Sequence, residues 1–104
     1  GSEADARRLA AGLVQARLAA CVQVEPGLES HYRWQGAVHA DPEWRLTLKS
    51  VPACLGAIQA WLGEHHPYEL PQQLWQVMAA SPAYTAWVRA EVSVPAGEGP
   101  APRA

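Results

Sequence analysis

The chain has 104 residues, 49% of them hydrophobic, and a formal charge of −2. That length fits one domain, and the apolar share excludes wholesale disorder. The slight acidity (pI ≈ 6.1) and the scattering of the basic residues argue against a nucleic-acid partner, which calls for a basic face.

No apolar run reaches the ~20 residues that span a bilayer, and no cationic start is followed by an apolar stretch of signal-peptide type. A cytoplasmic protein with no membrane partner is therefore expected. Cys21 and Cys54 form neither a dense framework nor a C-x-x-C pair, so reduced thiols are the simplest reading.

The first element is a helix. Ser2 caps it, Glu3 and Asp5 lie in its first turn, and Leu9, Ala10, Leu13, Val14 and Ala16 mark an apolar stripe. It is expected to run to about Leu18, with Arg7, Arg8 and Arg17 toward water. A strand follows from Ala20 to Val24, with Val22 and Val24 on one face and Cys21 and Gln23 on the other. Pro26-Gly27 reads as a turn or bulge, and the extended pattern resumes over Glu29–Trp34. Gln35-Gly36 is a tight hairpin turn. The return strand starts at Ala37, is expected to break or bulge at Asp41-Pro42, and continues as Trp44–Lys49.

Ser50 and Pro52 open a second helix carrying Leu55, Ile58, Trp61, Leu62 and His65, which Pro67 stops. A strand is expected over Leu74–Ala79. Ser81-Pro82 opens a third helix, marked by Tyr84, Trp87, Val88 and Glu91. Residues 1–92 then form one domain and residues 93–104 a flexible tail. The order of elements fits an α+β sandwich of the ferredoxin-like (βαββαβ) kind, with a long hairpin, an extra C-terminal helix and no visible first strand.

No dinucleotide, P-loop, nucleophile-elbow or zincin motif is present, which weighs against a self-contained enzyme. The most unusual stretch is His65-His66-Pro67-Tyr68-Glu69-Leu70-Pro71. Two prolines stiffen a loop bearing imidazole, phenol and carboxylate, groups able to bind a cation, hold a ligand or move protons. The bland reading is a rigid connector, with Tyr68 packed and His66 capping helix carbonyls. Cys54, among Leu55 and Ile58, reads as a small core residue, whereas Cys21 is not committed to a core. Trp61 and Trp87 read most simply as core. Trp34 stands at the hairpin tip beside Tyr32 and Arg33, a composition typical of binding hot spots. It serves an interface or folds back over its own hairpin.

Six ordered blocks carry a family resemblance: Arg17–Val22, Pro26-Gly27, Tyr32–Gly36, Leu46–Ser50, His66–Pro71 and Pro82–Trp87. Together they resemble the CutA divalent-cation tolerance family over about Glu3 to Val92. The resemblance implies a ferredoxin-like fold, a homotrimer whose hairpins pack across subunits, and an architecture like that of the PII signalling proteins. It implies a role in tolerance of copper or another divalent metal, and no catalytic reaction or organic cofactor. Mapped residue by residue, the family's inter-subunit cleft corresponds to Tyr32, Trp34, Lys49, His66, Tyr68 and Glu69, with Cys21 and His66 as the metal donors. The ligand is then a metal ion or a small polar molecule.

Three departures from the family pattern matter. The family opens with a strand ahead of its first helix, which this sequence does not show, so that strand is expected to be missing from the sequence rather than from the natural protein. Gln35 and Gln72 stand where glutamates are common, which weakens a hard-cation site. Arg45 and Thr47 replace apolar residues and make one strand face wetter. Against the ligand-binding reading stand an interaction module with no ligand of its own and, more weakly, an enzyme using His66, Tyr68 and Glu69 against Lys49.

Overall fold

The structure is a computed structural model and describes residues 2–66 and 73–94. The first helix, α1, spans Glu3–Gln15, and the Ser2 hydroxyl caps it by accepting the Asp5 amide at 3.1 Å. Arg7 closes an i,i+4 pair with Glu3 at 2.8 Å. Its inward face is Ala6, Leu9, Ala10 and Leu13. Val14 and Ala16, expected on that stripe, are exposed. Val14 follows Leu13 by about 100° around the axis, which carries it off the buried face.

The helix also ends before Leu18. Arg17 adopts a left-handed backbone, φ 59°. The Arg17 amide then donates to Val14 at 3.0 Å and the Leu18 amide to Leu13 at 3.1 Å. These two bonds are a Schellman closure, which satisfies carbonyls the helix end would otherwise orphan. Leu18 and Leu13 meet in the core beneath it.

Strands β1 (Cys21–Trp34) and β2 (Ala37–Lys49) form one antiparallel ribbon. Gln35 and Gly36, both at positive φ (49° and 80°), make the two-residue turn whose twist matches the strands. Glu25 pairs with Arg45 and Leu28 with Glu43. Pro26 and Gly27 therefore place one extra residue on β1, the expected bulge. The break expected at Asp41-Pro42 does not occur, for both pair regularly with Ser30 and Glu29. In a two-stranded ribbon each strand keeps a free edge, so a proline nitrogen there costs no ladder bond.

After a 3₁₀ turn at Pro52–Cys54, helix α2 spans Leu55–His65. Ser50 does not cap it; its hydroxyl donates to the Leu18 carbonyl at 2.6 Å and ties the start of this element to the end of α1. Helix α3 spans Pro82–Glu91, and the Ser81 hydroxyl accepts the Tyr84 amide at 3.2 Å.

The core joins Leu13, Leu18, Ala19, Cys54, Ile58 and Val92, with Val22, Leu48, Trp61 and Leu62 packed against it. Alpha-helical and ribbon layers thus meet at the root of the hairpin. Two expectations fail at the periphery. Trp87 is 43% exposed rather than core, because Val88 is the residue α3 buries. Residues 73–80 form no strand, and Leu74 (84%) and Met78 (71%) stand open to solvent. A strand exists by bonding to a neighbour, and among the described residues β1 and β2 bond only to each other. The layering and element order are those of an α+β ferredoxin-like fold.

Candidate functional site

The register fixes where the candidate residues lie. Cys21 is the cross-strand partner of Lys49, Tyr32 of His39, and Trp34 of Ala37. Every partner on β2 is odd-numbered, so all of these residues share one face of the ribbon. It is the face opposite Val22 and Leu48, which pack into the core. The bulge makes this possible. Outward residues on β1 are odd before it (Cys21, Gln23, Glu25) and even after it (Leu28, Ser30, Tyr32, Trp34). Strict alternation would have put Tyr32 and Trp34 on the face of Val22.

The shared face holds two separate groups. Cys21 and Lys49, both half-buried, lie at the root, where the Ala20 amide bonds the Lys49 carbonyl at 2.8 Å. Tyr32 and Trp34, each 40% exposed, lie at the tip. Lys49 and His39 are ten residues apart on one strand, a rise of about 33 Å. One subunit cannot bring these groups together.

At the tip, the Tyr32 ring stacks on His39 with centroids 5.5 Å apart, and its hydroxyl donates to the Asp41 carboxylate. That bond, with the charges of Asp41 and Glu43 nearby, pushes the Tyr32 hydroxyl above the usual phenol range. Sequence reasoning weighed His39 only as one of several possible metal donors and missed its pairing, and that of Asp41, with Tyr32. The signal was present in the two-residue turn, which sets every pair down the ribbon: 34 with 37, 32 with 39, 30 with 41. Lower down, Arg45 and Glu25 approach to 4.0 Å on the same face, the wetter surface expected there.

His66 closes α2, its amide donating to Leu62 at 2.7 Å. Burial chiefly, with the charge of Arg8 among the lesser causes, holds its imidazole below the usual histidine range. The His65 side chain bonds back to its own helix, its Nδ1–H donating to the Trp61 carbonyl at 2.8 Å. The His65 ring also stacks on Trp61 at 4.0 Å, and Arg8 donates to the His65 carbonyl at 3.0 Å. These groups border a surface groove of about 620 Å³ between α1 and α2.

Tyr68 and Glu69, with Pro67, Pro71 and Gln72, lie outside the described residues. Gln35 is a turn residue. The candidate metal donors stand on different elements, Cys21 at the start of β1 and His66 at the end of α2. Among the described residues no three His, Cys, Asp or Glu side chains gather as a metal site. No helix there is long and apolar enough to cross a membrane.

Comparison with known proteins bears on this arrangement. The family model described as CutA1 divalent ion tolerance protein matches residues 1–91. The divalent-cation tolerance protein CutA of Thermus thermophilus is 39% identical over 89 residues, which cover 85% of this chain and 86% of that protein. The solved structure of CutA from Synechococcus elongatus superposes with a TM-score of 0.83 at 41% identity, over 89% of this chain and 83% of that one. A structure described as PII-like protein CutA from Nostoc gives 0.81 at 29% identity, over 88% and 90%. The chain spans about half (46%) of the chloroplastic CutA of Arabidopsis thaliana, to which it is 33% identical over 80% of its own length. With the family pattern matched along the helices and the hairpin alike, the chain belongs to the CutA divalent-ion tolerance family.

Proposed function

We propose that this chain acts as a cytoplasmic homotrimer in tolerance of divalent metal, binding copper or a related ion, or a small polar ligand, at clefts between subunits. The observation that carries the reading is the division of the candidate residues along one ribbon face. Cys21 and Lys49 mark its root, Tyr32 and Trp34 its tip, about 33 Å away. A second copy can lay its tip against this root, and closed cyclic symmetry repeats that contact without leaving a free end. A thiolate and an imidazole suit copper better than carboxylates would, which accords with glutamine rather than glutamate at positions 35 and 72. The cleft binds rather than catalyses; no organic cofactor, nucleic acid or membrane enters the reading.

A second reading is signalling of the PII type through a small polar ligand. It draws on the Lys49 ammonium at the root and on the Nostoc neighbour described as PII-like. The third possibility, a trimerisation module without a ligand, predicts assembly and no titratable binding.

Light scattering and copper calorimetry separate these. The expected mass is three copies of the 11.2 kDa chain. Cys21→Ser is expected to weaken copper binding by about tenfold or more (~1.4 kcal/mol per tenfold), and Cys54→Ala to leave it unchanged. A monomer at micromolar concentration overturns the cleft. Equal affinity in both variants overturns the cysteine site, and heat on titration with small anions instead favours the signalling reading.

A further inference from the structure

Among the described residues, Arg17 makes three hydrogen bonds that tie the end of helix α3 and Ser93 to the rest of the structure. Arg17 Nη2 donates to the Ala90 carbonyl at 2.9 Å and Arg17 Nε to the Glu91 carbonyl at 3.1 Å. These are last-turn carbonyls that have no partner within their own helix. The Arg17 carbonyl in turn accepts the Ser93 amide at 2.8 Å. Side chain and main chain of a single residue thus grip both sides of the helix end.

The apolar attachment is small. Val88 (5% exposed) and Val92 (8%) are buried, while Tyr84 and Trp87 on the same helix are 40% and 43% exposed. An apolar cleft of about 370 Å³, lined by Val51, Pro52, Ala53, Arg89, Val92 and Val94, runs beneath the helix end. The cleft is open to solvent, so apolar contact does not seal the seam on that side. Directly under the seam lies Cys54, fully buried, its thiol 3.8 Å from the Ser93 carbonyl.

We propose that α3 together with Val92 and Ser93 is a latch that releases as one unit, with Arg17 as its clasp, and that release uncovers the Cys54 thiol. Segments with few buried apolar contacts and exposed hydrogen bonds open at lower free energy than the core they cover. Pro82–Ser93 meets both conditions, whereas Val22, Leu48 and Leu13 lie in the layer that stays closed. The positive φ of Arg17 belongs to the device, because the left-handed backbone that turns the chain out of α1 also holds the guanidinium and carbonyl at the end of α3.

Hydrogen exchange on the unaltered protein tests the first half. The amides of α3 from Thr85 to Val92 should exchange together, about tenfold or more faster than those of Val22 and Leu48. Exchange of α3 in step with the sheet overturns the latch. Alkylation by N-ethylmaleimide in a Cys21→Ser background, where Cys54 is the remaining thiol, tests the clasp. Arg17→Ala should raise the labelling rate by about tenfold or more with sheet protection unchanged, and Arg17→Lys, which cannot span two carbonyls, should fall between. An unchanged rate, or one that rises only as far as sheet protection falls, overturns it. Should Arg17→Ala fail to fold, the exchange measurement on the parent decides the proposal.

Discussion

Arg17, two residues past the end of α1, donates from its guanidinium to the carbonyl of Glu91, the last residue of α3, at 3.1 Å. A residue that looks like a surface arginine is the joint between the first and last helices. Its backbone is strained in the left-handed region, and its side chain recovers that cost. Arg17→Ala should therefore destabilise by about 1–2 kcal/mol, since it keeps the strain and loses charge-assisted bonds that are partly exposed. Arg17→Gly should be more stable than Arg17→Ala by about 1 kcal/mol, because glycine adopts that φ freely. Urea midpoints compare the two; equal midpoints would show that the backbone is not strained.

Gly12 faces Trp61 so closely that a Cβ there would lie 2.5 Å from the indole Cζ2. Alanine ordinarily stabilises a helix by about 1 kcal/mol over glycine. Here overpacking should win, and Gly12→Ala should destabilise by about 1–3 kcal/mol and disturb the Trp61–His65 stack. Chemical denaturation with near-ultraviolet circular dichroism reads both effects; a gain in stability would refute the close approach.

Burial first, and the charge of Arg8 in addition, lower the pKa of His66. Its folded pKa lies below the unfolded value of 6.5, so the unfolded chain takes up the proton first. Stability from this group is complete above pH 6.5 and is lost as pH falls through the lower folded value. Thermal midpoints should decline on acidification through that window, and His66→Gln should flatten the decline. A midpoint that rises with acid in the parent would contradict the assignment.

Tyr32 shows the opposite sense. Its phenol donates a hydrogen bond to Asp41, so the unfolded chain ionises first; the contribution of the pair is complete below pH 10.0 and is lost as pH rises through the higher folded value. Asp41→Asn should bring the Tyr32 titration back toward 10.0 in ultraviolet difference spectra. An unmoved curve would mean that the carboxylate does not set it.

Much of this was legible in the sequence because local chemistry decided it. Ser2 and Ser81 cap the helices they precede, Gln35-Gly36 turns the hairpin, Pro26-Gly27 bulges it, and Cys54 is core. The failures lie where distant partners decide. Arg17 pointed to water on any helical wheel, and only a helix end more than seventy residues away gave it another role. Residues 74–79 have the composition of a strand, but composition supplies no neighbour to bond. The site was legible in part. The hairpin turn implied that Tyr32 faces His39, yet a single added residue on β1 decided that Tyr32 and Cys21 share a face, and spacing alone does not reveal that.

The bulge also makes the ribbon a pointer with its pivot at Pro26-Gly27. From Leu28 to Trp34 and the turn beyond, the arm is about 25 Å long, so a 10° change of bend at the pivot displaces the tip by roughly 4 Å. Two side-chain-free or ring-closed positions therefore govern where Tyr32 and Trp34 arrive. Removing Gly27 would leave every pair beyond it intact, since Leu28 would still meet Glu43, but the arm would straighten. Length variation of one residue at this point would re-aim the hairpin without altering a single cross-strand neighbour, and so change which surface it reaches while its own sequence stays the same.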